Sequence, residues 1–290
     1  MKNMVEHLEY TTDQDVFFDY CLWKYKPVVP YENKFRSVNL LFNSFDSMGV
    51  HQHIFELVQA IREGFGISRT VWGVKQIGQE ISWEFYFYDY GRRERERSIT
   101  KLLDIIKPFI RCELRANENH FYYMFSIDIN HDLIAGVKDL EEIHMYIGNP
   151  GSSVSSGICY SLTNDTTKLE NFYFFFDRKK HMNDIIAKIV CSSYIDSTAI
   201  DIDRILRPEL MDCKIIVVAN KQKNDCIYFS GINVDQLLFF LKKMSYPVDI
   251  ISFVEENRSQ MDHLQYDVGF DYRMDGKNLM ILKSAYYGFF

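Results

Sequence analysis

Between Ile81 and Tyr90 the chain alternates two different kinds of surface, and few folds accommodate both. With a period of two, Ile81, Trp83, Phe85 and Phe87 share one face, and Ser82, Glu84, Tyr86 and Tyr88 share the other. The first face is wholly apolar. The second carries a carboxylate and phenols, whose rings are apolar and whose tips are polar. A strand with one wet side normally shows Lys, Thr or Ser there, not a row of tyrosines. The pattern fits a strand between two interiors, one packed under helices and one facing a cavity that is aromatic and partly polar.

The phrase recurs along the chain. Residues 69–77 and 81–90 read as a hairpin about Gly78, and residues 110–116 and 120–129 as a second over Asn117-Glu118-Asn119. A third joins 144–163 to 169–177, with a Gly/Ser-rich excursion at 148–157. A fourth joins 213–220 to 226–232, and a fifth joins 264–273 to 278–287 through Asp275-Gly276, a strong hairpin dipeptide. Helical spacing marks residues 50–65, 93–106, 179–191, 234–244 and 248–261. At the N-terminus a helix is expected over 13–23, then an extended Pro-containing segment to Pro30 and a short strand over 35–42.

No composition shift marks a linker, so a single domain spanning 1–290 is expected. About ten strands in sequential hairpins with no spare edge point to closure. The expected fold class is α+β, a closed antiparallel barrel of about ten strands ringed by outer helices. Short turns at Gly78, Asn117 and Gly276 exclude a parallel barrel, which needs a helix after every strand.

Charge and cysteine usage exclude several functions. A net charge of −7 argues against a nucleic-acid partner. The one basic cluster, Arg92 to Arg97, is interleaved with glutamates and reads as a solvated helix face. The six cysteines form no C-x-x-C pair, and no apolar run is long enough to span a bilayer. A cytoplasmic, monomeric protein without membrane contact is therefore expected. The nucleotide and nucleophile-elbow motifs are missing, and no metal-ligand spacing surrounds His51 and His53.

The polar faces of the hairpins carry the functional reading. Arg111, Glu113 and Arg115 oppose Ile110, Cys112 and Leu114, and Tyr122, Ser126 and Asp128 oppose Phe121, Phe125 and Ile127. Asp267, Asp271 and Arg273 share a face of the fifth hairpin, and Lys283 interrupts an otherwise apolar last strand. An ordinary sheet with these residues in water is the competing reading for any one strand. Across several strands the solvent-type mixture is missing, which favours an enclosed lumen. A cavity holding Arg69, Lys75, Arg111, Arg115, Arg273 and Lys283 would suit a polyanion such as a pyrophosphate. Tyr86, Tyr88, Tyr122, Tyr173, Tyr228 and Tyr287 would shield a developing allylic cation with their ring faces. Glu84 is the candidate base for the proton released from the attacked group.

In this layout the chain resembles the ABBA-type prenyltransferases, and within them the cyanobactin (ribosomal peptide) prenyltransferases. The likeness is carried by the order of 215–232, the helices to Arg258, Tyr266-Asp267-Val268-Gly269 and the final Leu282-Lys283-Ser284, with Phe18-Asp19 and Glu113-Leu114-Arg115 earlier. It implies an enzyme that moves a dimethylallyl or geranyl group from its pyrophosphate to a peptide, usually cyclic, or to a small aromatic acceptor. It also implies Lys283 and Arg115 as anion binders, Ile216 at the position that sets prenyl-pocket depth, and magnesium, for which the sequence displays no ligand set. The chain departs from that family where basic residues are expected, having Tyr122, Ser126 and Asp128. The alternative is therefore an inactive barrel that binds a peptide or a small apolar ligand. A repeated ferredoxin-like sheet with open edges is a third possibility.

Overall fold

A computed structural model describes residues 7–89, 95–116, 118–149, 154–196 and 198–290. Arg92, Arg93 and Glu94 of the basic cluster, Tyr90 and Asn117 lie outside the described residues. The frame is a closed barrel of ten antiparallel strands in which every strand pairs with its sequence neighbours and the last pairs with the first. The strands are β1 (Thr70–Ile77), β2 (Glu80–Tyr88), β3 (Met124–Ile129), β4 (Ile143–Asn149) and β5 (Ser155–Leu162), then β6 (Thr167–Asp177), β7 (Ile215–Lys221), β8 (Asp225–Ile232), β9 (Tyr266–Asp275) and β10 (Asn278–Phe289). Closure leaves no open sheet edge, which removes the ferredoxin-like alternative.

The outward strand faces are apolar because helices cover them. Trp72, Trp83, Phe85 and Phe87 are fully buried on this side. α1 (Val38–Ser47) and α2 (His53–Phe65) pack here, with Phe45 edge-on to Trp83 at 5.1 Å and Phe65 against Phe87 at 5.2 Å between ring centroids. The Trp83 indole N–H donates to the Ser44 hydroxyl at 2.8 Å, so its one polar atom is satisfied inside the core. Among the described residues the other helices are α3 (Ile99–Ile106), α4 (His131–Ile134), α5 (Met182–Val190), α6 (Asp203–Leu206), α7 (Val234–Lys243), α8 (Val248–Glu256) and α9 (Arg258–Met261). α7 starts at a capping box in which Asn233 and Gln236 satisfy each other's backbone amides.

Of the three bulges in the barrel, those in β10 and β8 decide which residues face inward around the site. At Leu282 the register of β10 slips, so that Ile281 lies opposite outward Tyr272 while Lys283 lies opposite inward Asp271. At Gly231, whose φ of +81° suits glycine, β8 slips in the same way, with Ser230 opposite Asp267 and Ile232 opposite Tyr266.

Several sequence expectations change. Residues 13–23 form no helix; residues 8–36 are an irregular strap, tied by bridges at Tyr10–Phe35 and Phe18–Lys24 and by Arg36 to Asp15 at 2.8 Å. Of the strand expected over 35–42, Phe35 makes only the bridge to Tyr10 and residues 38–42 instead begin α1. Residues 110–116 alternate in character without joining the barrel, making only a single bridge from Cys112 to Leu140. The long strand expected over 144–163 is two strands, β4 and β5, and this restores the count of ten.

Candidate active site in the barrel lumen

Inside the barrel lies a second core, distinct from the one under the helices, with Tyr86, Tyr88, Tyr146, Tyr228 and Tyr287 among its buried members. It is divided in depth. At the end where the odd-numbered strands begin, a cavity of about 460 Å³ is walled by Tyr88, Met124, Phe175, Val217 and the strap residues Tyr20 and Cys21. Asp177, Lys180 and His181 line its rim. Deeper, toward the hairpin tips, a polar chamber of about 80 Å³ holds Lys75, Glu84, Asp128, His144, Lys221 and Lys283. Tyr146, Tyr173 and Tyr228 wall both chambers, so rings separate an apolar antechamber from a charged floor. A groove of about 570 Å³ outside the barrel, beside α2, lacks this convergence of lysines and tyrosines.

The floor is an ion network. Lys75 Nζ stands 2.5 Å from Asp128 Oδ1 and 3.4 Å from Glu84 Oε2. Burial pulls the Lys75 ammonium down, but Asp128 and Glu84 beside it hold its pKa above the ordinary lysine value. The Ser126 hydroxyl donates to the other Glu84 oxygen at 2.9 Å. Lys221 Nζ reaches both oxygens of Asp271, at 2.8 and 2.9 Å. Burial would raise Asp271; Lys221 and Lys283 overcome it and bring the carboxyl down to about 2. His144 Nε2 meets Glu142 at 3.0 Å, and Glu142 with Asp128 raises the imidazole against the opposing effect of burial.

Lys283 differs from the other two lysines. Its nearest carboxylate oxygen, on Asp271, is 3.6 Å away and is shared with Lys221. Burial first, and then the charge of Lys221, push its pKa below the ordinary lysine value. It is the least compensated of the three lumen lysines, and an incoming anion would relieve it most. Burial raises the lumen phenols Tyr20, Tyr86, Tyr146, Tyr173, Tyr228 and Tyr287 well above the usual tyrosine range, so they remain hydroxyl donors with intact ring faces.

Two lumen glycines make room for this lining. A Cβ on Gly73 would stand 2.5 Å from the Tyr287 ring, and one on Gly269 would stand 2.3 Å from the Tyr228 ring. The rings lie flat against the neighbouring strand because that strand has no side chain there.

The structure brings Glu84, Lys75, Lys283, Tyr86, Tyr88, Tyr173, Tyr228 and Tyr287 of the expected site together in the lumen. It does not bring the four arginines. Arg111 is exposed and pairs with Asp139 at 2.8 Å, and Arg115 is exposed on an outer loop, its amide donating to Asn164. Arg69 precedes β1 and is exposed, and Arg273 lies exposed toward a hairpin tip. Tyr122 and Ile216 face the helices. The Tyr122 hydroxyl donates to Glu118 at 2.5 Å and Arg95 stacks on its ring at 3.8 Å. Residues 215, 217 and 219 occupy the lumen side of β7 instead.

Sequence reasoning missed Lys221, His144, Tyr146 and Tyr20. Lys221 is signalled by carrying the period of two from Val217 through Ala219, but it adjoins a polar turn and reads as part of it. Glu84, Asp128 and His144 are the described residues whose ligand atoms converge, within 4.8 Å of one another. They do not fit a magnesium ion, because the Lys75 ammonium already sits between the two carboxylates as their cation. No protein-family model matches this sequence, and no curated protein is found similar to it.

Proposed function

We propose that the barrel is a prenyltransferase of the ABBA type, transferring a short isoprenyl group from its diphosphate to an aromatic or other nucleophilic acceptor. One observation carries this reading: a ring of buried tyrosines stands directly over a floor of lysines, with a carboxylate, Glu84, between them. A diphosphate would rest on Lys283, Lys221 and Lys75. As its allylic C–O bond breaks, the electron pair leaves with the diphosphate and the positive carbon faces the rings of Tyr146, Tyr173 and Tyr228. The acceptor, in the antechamber, forms the new bond, and Glu84 takes the released proton.

The same floor supports a second reading. Three lysines there meet three carboxylates, Glu84, Asp128 and Asp271, so a binding barrel without turnover is the reading favoured by charge balance. Incubation with dimethylallyl and geranyl diphosphate and a panel of aromatic peptides and phenols, read by mass spectrometry, separates the two. The transferase reading expects an acceptor gaining one prenyl mass, and roughly a 10²-fold or greater loss of turnover in Glu84→Gln. No mass gain with any pair, together with no heat of pyrophosphate binding, refutes it.

A further inference from the structure

The lumen mouth is walled partly by a segment that is not barrel. The strap makes a tight turn at 19–23, closed by the Asp19 amide to the Trp23 carbonyl at 3.1 Å and by the Leu22 amide to the Asp19 carbonyl at 2.8 Å. Leu22 sits at φ +52°, a conformation a branched residue adopts only under constraint. The turn inserts Tyr20 among the lumen rings, with centroids 4.6 Å from Tyr287 and 5.2 Å from Tyr86. The Tyr88 hydroxyl donates to the Tyr20 carbonyl at 2.8 Å.

Under the turn lie two buried carboxyls. Asp19 is 2% exposed and Asp267, on β9, is 0% exposed. One oxygen of each has a backbone donor: the Trp23 amide serves Asp19 at 3.0 Å and the Gly231 amide serves Asp267 at 3.1 Å. The second oxygen of each is buried without a hydrogen bond of regular geometry, and so is the Ser230 hydroxyl beside them. The other titratable groups around the pair are Cys21, Tyr25 and Cys213, and the cation acting on Asp19 is Lys214, engaged with Gln265 at 2.8 Å. Two buried carboxyls with one cation acting on them, itself engaged elsewhere, do not both ionise readily in place.

We propose that the turn 19–23 is a gate over the lumen mouth, latched while the buried carboxyls of Asp19 and Asp267 are neutral and released as Asp19 ionises. The inference rests on the lumen being the working site and adds the control of access to it. The direction follows from burial, which raises Asp19 from its ordinary 3.8 to about 6 and, together with the charge of Asp19, raises Asp267 well above the carboxylate range. The neutral forms favour the docked turn, so docking is strongest in acid and weakens as pH rises through about 6. With Asp19 near 6 when docked and near 3.8 when released, its ionisation alone multiplies the open fraction about tenfold between pH 5 and pH 8.

Cys21, buried within the turn, reports opening, and Cys191, exposed on the outer surface, corrects for thiolate chemistry. The full chain is labelled with N-ethylmaleimide across this pH range, and each cysteine is followed by peptide mass spectrometry. The expected result is a rise of about tenfold in the Cys21/Cys191 rate ratio from pH 5 to pH 8, with the rise reduced to under twofold in Asp19→Asn. A flat ratio in the wild-type chain overturns the proposal, as does an unchanged profile in Asp19→Asn. Parallel labelling of buried Cys213 and Cys226 also overturns it, because that reports unfolding of the barrel. No prenyl donor is involved, so the outcome is independent of whether transfer occurs.

Discussion

Replacing Asp271 with Asn tests how the lumen floor is held together. The Asp271 side chain is about 10% exposed and Lys221 about 12%, and the carboxylate binds Lys221 through both oxygens while also facing Lys283. The carboxyl lies near 2 in the fold against an ordinary 3.8, which corresponds to about 2 kcal/mol of stabilisation at neutral pH. Asn also leaves two buried ammonium groups facing each other, and breaking a buried pair in this way costs roughly 3–5 kcal/mol. At about 2–4 °C per kcal/mol for a chain of this size class, the melting temperature should fall on the order of 10 °C. The two lysines, freed of their carboxylate, should then bind pyrophosphate more tightly. Millimolar pyrophosphate is therefore expected to raise the melting temperature of Asp271→Asn more than that of the wild type. Differential scanning fluorimetry with and without pyrophosphate reads both effects. A melting temperature within 2 °C of wild type would show that the pair is not structural. An equal pyrophosphate shift in both proteins would show that Lys221 and Lys283 do not receive the anion.

Three further outcomes are expected. Acid should destabilise the barrel late: despite burial, Lys221 and Lys283 depress Asp271 and Lys75 depresses Asp128, so both contributions are complete above about 3.8, and that of Asp271 is lost as pH falls through about 2, which chemical denaturation at several pH values measures. Gly269→Ala places a methyl 2.3 Å from the Tyr228 ring and 2.9 Å from the Ile227 carbonyl, so it should cost roughly 1–3 kcal/mol by urea unfolding, part of it recovered by adding Tyr228→Leu. Ser44→Ala leaves the fully buried Trp83 indole N–H without its acceptor and should cost about 1–3 kcal/mol by the same assay, with lumen ligand binding unchanged.

The barrel was legible because its strands separate two interiors. Ile81 to Tyr88 reads correctly residue by residue, and so do the turns at Gly78 and Gly276, since a period of two survives wherever both faces are buried. The same rule misleads at residues 110–116. Alternation also arises when a coil lies on an apolar surface with its charges in solvent, and Arg111 and Arg115 are of that kind. It misleads again at Ile281 and Lys283, which share parity in sequence and face opposite sides across a bulge. Lys283 was identified for the lumen, but the bulge that aims it inward is a feature of strand pairing with no local signature. The ion network was illegible for a related reason: Lys75, Asp128 and Asp271 lie on β1, β3 and β9, far apart along the chain, and only closure sets them together.

β1 and β10 are joined along Val71 to Gln76, with Thr70 and Phe290 exchanging backbone hydrogen bonds at 2.8 and 3.2 Å, and over two hundred residues separate the two edges. A chain emerging from the ribosome has Lys75 and Glu84 early but cannot surround them until Lys283 and Tyr287 have been made. Until that last zip the aromatic lining lies open along one side, so a nascent molecule has wet phenols and a split floor where the finished one has a room.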